Sequence, residues 1–90
     1  MSRQHSLAHA RNLGQVTERE LNAVGIHEID DLRQLGWEEA FARWAERYPK
    51  RLNLNAAAAL IGAIDNTDWR RVPSEEKERA RKLIAQLKRA

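Results

Sequence analysis

Four groups of residues in this chain of 90 have types and spacing that could do chemistry. His5 and His9 stand four apart, so on a helix both imidazoles would leave one face and could share a metal ion. No Glu lies between them as in an HExxH motif, and no third ligand stands near, so no metal site is expected. Gly25-Ile26-His27 is the second group: a glycine-hydrophobic turn between two helices can aim backbone N–H groups at a phosphate or dock on a protein. The third group is cationic, with Arg70 and Arg71 followed by Lys77, Arg81 and Lys88 on one side of a helix, as nucleic-acid backbones require. Trp37 and Trp69 are the fourth, since tryptophan is enriched among residues that anchor protein partners; Trp44 falls within an apolar stripe and is expected in the core.

Catalysis finds no such footing. There is no glycine-rich phosphate loop, no nucleophile beside a credible base, and no carboxylate pair in an apolar setting. No catalytic residue, no cofactor and no small-molecule substrate is therefore expected, and the chain reads as a non-enzyme. With no cysteine, disulfides, thiolate metal sites and a Cys nucleophile are excluded. A chain of this length buries about 60–65% of its unfolded surface, enough for one small core. The longest apolar run, Ala56 to Ile64, is far short of the roughly 18 residues that span a membrane. Met1 to Ala10 is too polar for a signal peptide, so a soluble cytoplasmic protein with no membrane partner is expected.

Charge is unevenly spread. Residues 17–47 hold eight acids and four bases, a balance of −4, whereas residues 69–90 hold eight bases and three acids, a balance of +5. Glu18, Glu20, Glu28, Asp30 and Asp31 flank the Gly25 turn and would repel phosphate, and His27 brings a side chain where a DNA-gripping hairpin has a second glycine. The turn is thus expected to serve structure or protein docking, through Gly25, Ile26 and His27. Any direct DNA contact is expected from the basic C-terminal helix, weak and independent of sequence.

The elements that must position these groups are helical throughout. Residues 1–6 are expected to be flexible and residues 7–90 to form one domain. A short helix is expected over Leu7–Leu13, closed by Gly14 in a left-handed cap. Thr17 and Glu20 have the spacing of a capping box that starts a helix at Glu18, with Val16 and Leu21 as its staple. After Gly25 the second hairpin helix runs from about Glu28 to Leu35, weakly capped, with Asp30 and Asp31 complementing its dipole and Gly36 stopping it. Trp37 to Tyr48 is an amphipathic helix ended by Pro49. Asn53 or Asn55 caps the next, which runs to about Asp65 and is apolar nearly all round, the mark of a buried central post. Asp68 or Thr67 caps a short turn carrying Trp69. Ser74 caps the last helix, whose buried stripe is Ala80, Leu83, Ile84 and Leu87, with Glu75–Arg79 and Glu78–Lys82 in pairing register. Alternating apolar patterns are absent, so the fold class is all-α, with five to six short helices around a helix-hairpin-helix (SAM-like) core.

Arg11-Asn12-Leu13-Gly14, Val24-Gly25-Ile26-His27 and Asp31-Leu32-Arg33-Gln34-Leu35-Gly36 together resemble the C-terminal domain of the TfoX/Sxy competence regulators. So do Leu52-Asn53-Leu54, Ala59 to Ile64, Asp68-Trp69, Val72-Pro73 and Lys77, in the same order. The resemblance spans about residues 11–85 and implies a helix-hairpin-helix or SAM-like fold in a bacterial cytoplasmic protein. It also implies a role in regulating genes for competence and DNA transformation, where the family is thought to act with a cyclic-AMP receptor protein at promoters. The family's full-length members carry a separate N-terminal domain. The partner expected here is accordingly a protein, from the transcription machinery or a separate N-terminal TfoX-like chain. Two positions depart from the family pattern: Glu28 stands where a capping threonine is expected, and the post is alanine-rich from Ala56 to Ala59.

Overall fold

Residues 12–89 of the computed structural model are described, and every regular element among them is helical. The helices are α1 (Gln15–Ala23), α2 (Ile29–Leu35), α3 (Trp37–Arg47), α4 (Leu54–Asp65) and α5 (Ser74–Arg89), with 3-10 turns at Pro49–Arg51 and Trp69–Arg71. The expected flexible segment 1–6, the His5–His9 pair and most of the helix expected over residues 7–13 lie outside the described residues. Asn12 and Leu13 are not helical. Gly14 is extended at φ −133°, so it opens α1 and does not close an earlier helix in a left-handed cap.

The hairpin forms as its residues dictate. α1 ends in a Schellman motif: Gly25 takes φ +88°, its N–H reaches the Asn22 carbonyl at 3.1 Å, and the Ile26 N–H reaches the Leu21 carbonyl at 2.9 Å. Leu21 and Ile26, the residues joined by that last bond, are both fully buried. The start of α2 is better satisfied than its composition suggests. One carboxylate oxygen of Asp31 accepts the N–H groups of His27 (3.0 Å) and Glu28 (3.1 Å), so the cap comes from inside the first turn. Gly36, at φ +83°, is the only residue between α2 and α3.

The expected capping box at the start of α1 is not what forms. α1 begins at Gln15 with Gly14 as N-cap, Thr17 lies inside the helix, and Val16 is 56% exposed and staples nothing. Glu20 has a stronger use. It is buried at 6% exposure, where Oε1 accepts Trp44 Nε1 at 2.8 Å and Arg51 Nε at 2.7 Å, and Oε2 accepts Arg51 Nη2 at 3.1 Å. Arg51 also stacks over the Trp44 ring, 5.1 Å from its centroid. A bidentate, charge-assisted contact to a buried carboxylate outweighs one exposed backbone cap, so Glu20 points inward and ties α1 to α3 and the first 3-10 turn.

α4 is the post. Seven of its residues from Ala56 to Ala63 are buried, and it touches α2, α3, α5 and the second 3-10 turn. Asn53 is its N-cap, accepting the Ala56 N–H at 2.8 Å. Around it Trp44, Phe41, Leu21, Ile26, Leu32 and Leu60 are fully buried. Each aliphatic or phenyl group among them contributes on the order of 1.5–3 kcal/mol of transfer free energy. α5 lies over α3 and α4 with Ala80 buried and Leu83, Ile84 and Leu87 half-buried. It starts one residue earlier than expected, since the Pro73 carbonyl takes the Lys77 N–H at 3.1 Å and Ser74 is already helical. Arg79 does not pair with Glu75; it bonds Glu38 of α3 at 2.6 Å and Glu76 at 3.2 Å. Reaching across to α3 sets its direction. Arg81 pairs with Glu78 at 2.8 Å in place of the expected Lys82.

The Glu20 site carries a pH signature. Hydrogen bonds from Arg51 hold its carboxyl below the ordinary value of 4.5, aided by the Trp44 N–H and the charges of Arg51 and Lys50 and opposed by burial. A carboxyl depressed on folding contributes stability that is fully present above its unfolded value and is lost as pH falls through its folded one. Glu20→Gln is expected to cost about 1.5–3 kcal/mol at neutral pH. The gap between parent and variant should narrow below about 4.5 as the parent's carboxyl protonates. Urea denaturation of both proteins across that range checks this, and a gap that stays constant on acidification refutes it.

Candidate functional site

The hairpin turn is chemically closed. The N–H groups of residues 25 and 26 end α1 on the carbonyls of Asn22 and Leu21, and those of residues 27 and 28 are taken by Asp31. Four consecutive amides that could have faced a phosphate are thus bound within the chain. Ile26 is a fully buried plug, while Gly25 and His27 are exposed beside Glu28 and Asp30. What the turn presents outward is a short, acid-rimmed surface.

The tryptophans divide by burial. Trp37, at the first position of α3, is 7% exposed and Trp44 2%, so both belong to the core, and Trp37 offers a partner little surface. Trp69 is 37% exposed. Its place is set by a clasp whose central residue, Asn12, was not among the candidates from sequence. Asn12 sits at φ +72°, and its side-chain Nδ2 donates to the carbonyls of Thr67 at 2.8 Å and Ala59 at 3.4 Å. Its Oδ1 accepts the Trp69 N–H at 3.0 Å. α4 ends beneath it in a second Schellman motif, with left-handed Asn66 and the Thr67 N–H on the Gly62 carbonyl at 2.7 Å. A Cβ at Gly62 would strike both the Thr67 carbonyl oxygen and the Asn12 amide nitrogen. Asp68 then caps the turn that bears Trp69, its Oδ1 accepting the Arg70 N–H at 2.9 Å.

Between this turn, α1 and the start of α4 runs an open groove of about 550 Å³, lined among others by Thr17, Arg51, Asn53, Asn55 and Trp69. Nothing local in the sequence marks it. Its walls come from positions up to 57 residues apart, and Asn12-Leu13-Gly14 reads as an ordinary helix end.

The basic residues do not converge. Arg70 is bound to Asp68 through Nε and Nη2, both at 3.1 Å, and Arg81 to Glu78. Among the described residues Arg71, Lys77 and Lys88 hold no ion pair. No group of three His, Asp or Glu among those residues could hold a metal ion, and no described helix is long and apolar enough to cross a membrane.

These features define a small all-α domain built on a helix-hairpin-helix and locked at the end of its central helix. The chain belongs to the TfoX C-terminal domain family, which matches residues 3–84. Asn12, Gly25, Gly36, Gly62 and Trp69, all in the stretches that carry the resemblance, act in this fold as caps, a close approach and a clasped turn. A crystal structure of an uncharacterized protein from Listeria monocytogenes, in a triclinic form, is similar with a TM-score of 0.84 at 28% identity, covering 91% of this chain and 92% of that one. A tetragonal-form structure of a protein of unknown function from the same organism gives 0.82 at 28% identity, over 90% and 99% of the two chains. Comparison with curated proteins gives no match.

The clasp makes a signed prediction. On helix propensity alone, Gly62→Ala stabilises by up to about 1 kcal/mol. With the Thr67 carbonyl and the Asn12 amide in the way, it is expected to destabilise by about 1–3 kcal/mol. Asn12→Ala is expected to cost a similar amount, and the double variant less than both together, because each disrupts the same contact. Thermal unfolding of the three variants measures all of this, and a more stable Gly62→Ala protein contradicts the clasp.

Proposed function

We propose that this chain is a non-enzymatic interaction domain that regulates competence and DNA-transformation genes through contact with a protein partner, a component of the bacterial transcription machinery or a separate N-terminal TfoX-like chain. The observation that carries the reading is the closed hairpin: the amides of residues 25–28 are all engaged internally and acids surround them. A phosphate approaching the turn meets negative charge and no free backbone N–H at residues 25–28. A protein surface with basic or neutral polar groups meets an ordered docking edge. Membership in the TfoX C-terminal domain family supplies the regulatory context.

The second reading is weak, sequence-independent DNA binding by α5 and the turn before it, favoured by Arg71, Lys77 and Lys88, which hold no ion pair among the described residues. Each phosphate contact contributes a slope near −0.9 in log K against log salt, so contacts from these three residues give a dependence of about −3.

Affinity capture from the native cytoplasm tests the first reading. It is expected to enrich one protein over a sequence-scrambled control, and that enrichment should survive Arg71, Lys77 and Lys88→Ala. If no protein is enriched, while duplex binding is detectable at low salt, weakens as salt rises and is lost in the triple variant, the order of the two readings is reversed.

A further inference from the structure

We propose that the groove beside Trp69 is a binding site for a neutral, extended, proline-bearing segment of a partner polypeptide. The inference rests on the reading of this chain as a protein-interaction domain and assigns the contact to a place other than the hairpin.

Three observations select the ligand chemistry. Among the described residues the groove's lining carries one ionisable group, Arg51, whose guanidinium is held by Glu20 at 2.7 and 3.1 Å, so the described walls offer neither a phosphate nor a charged side chain an unpaired counter-charge. Most of its polar atoms are also already used. Asn12 is committed to Thr67, Ala59 and Trp69, while Asn53 binds the Ala56 N–H and the Lys50 carbonyl. Among the described residues the side chains of Thr17, Asn55 and Trp69 have no such partner, leaving a hydroxyl, an amide and an indole N–H, each neutral and each able to donate. Finally, the one large exposed aromatic side chain among the described residues borders the groove and is clamped: the Trp69 backbone is fixed by Asn12 on one side and the Asp68 cap on the other.

A flat indole, neutral donors and no charge suit a polyproline II segment. Such a segment has no internal hydrogen bonds, exposes its carbonyls, and is already extended, so little entropy is lost on docking against an aromatic wall. The pyrrolidine ring supplies an apolar face for the indole, and the carbonyls supply acceptors for Asn55 and Thr17. Single-stranded nucleic acid also stacks on aromatic rings, but it needs cations that follow its backbone, and among the described residues this groove has none unpaired.

The test is a titration of a capped oligoproline peptide into the labelled full chain, following the three indole N–H resonances. Trp69 is expected to shift saturably while the buried Trp37 and Trp44 hold still. Trp69→Ala should weaken binding at least about tenfold, and Asn55→Ala by a smaller factor, with the remaining resonances unmoved as evidence of an intact fold. No shift at Trp69, binding unchanged in Trp69→Ala, or a stronger response to oligothymidylate than to the peptide would each overturn the assignment. Cytoplasmic capture separates the two levels. A partner lost in Trp69→Ala supports the groove, whereas one retained by that variant overturns the groove and leaves the interaction role standing. A parent chain that captures nothing counts against the interaction role itself.

Discussion

α4 has no polar side, so every direction around it must be filled by some other part of the chain, and that requirement shapes the domain. Its alanines let α2, α3 and α5 come close, and Gly62 lets a loop carbonyl and an asparagine amide come closer than any side chain permits. Small residues contribute little transfer energy themselves. They allow the large ones around them, Trp44, Phe41 and Leu60 among others, to pack at interior density.

Two polar devices then pin the packed helices. Glu20, Arg51 and Trp44 join the hairpin to α3 and the first 3-10 turn, with each buried polar atom partnered. Asn12 joins the entry of the chain to the exit of α4 and the turn bearing Trp69. The groove lies between these two devices. Its neutrality is a by-product of the first, which consumes Arg51, and its exposed aromatic is placed by the second. A surface suited to uncharged partners follows from how the core is held.

The same logic explains why the hairpin, the most recognisable stretch of the sequence, presents little reactive chemistry. Its amides are satisfied by its own helix end and by Asp31, and its one apolar turn residue is a plug. The basic residues expected to meet nucleic acid lie elsewhere, on and before α5, where two of the five are already bound to neighbouring carboxylates.

Sequence by itself determined the helical class, the hairpin with Gly25 at its turn, a cap for α4 at Asn53 or Asn55, a cap for the Trp69 turn at Thr67 or Asp68, and the buried character of the post. All of these rest on interactions within a few residues, or on a periodicity that a solvent-excluded helix cannot hide. Tertiary structure alone decided that Glu20 turns inward away from Thr17, that Trp37 is buried while Trp69 is not, that Asn12 is a clasp, and that a neutral groove exists. Each of these is a competition between a local bond and one to a residue up to 57 positions away. A capping box offers an exposed, water-competed hydrogen bond, whereas a bidentate arginine and a buried tryptophan offer several to a buried carboxylate. Local spacing makes the first contact visible in the sequence. Only the fold brings the second within reach.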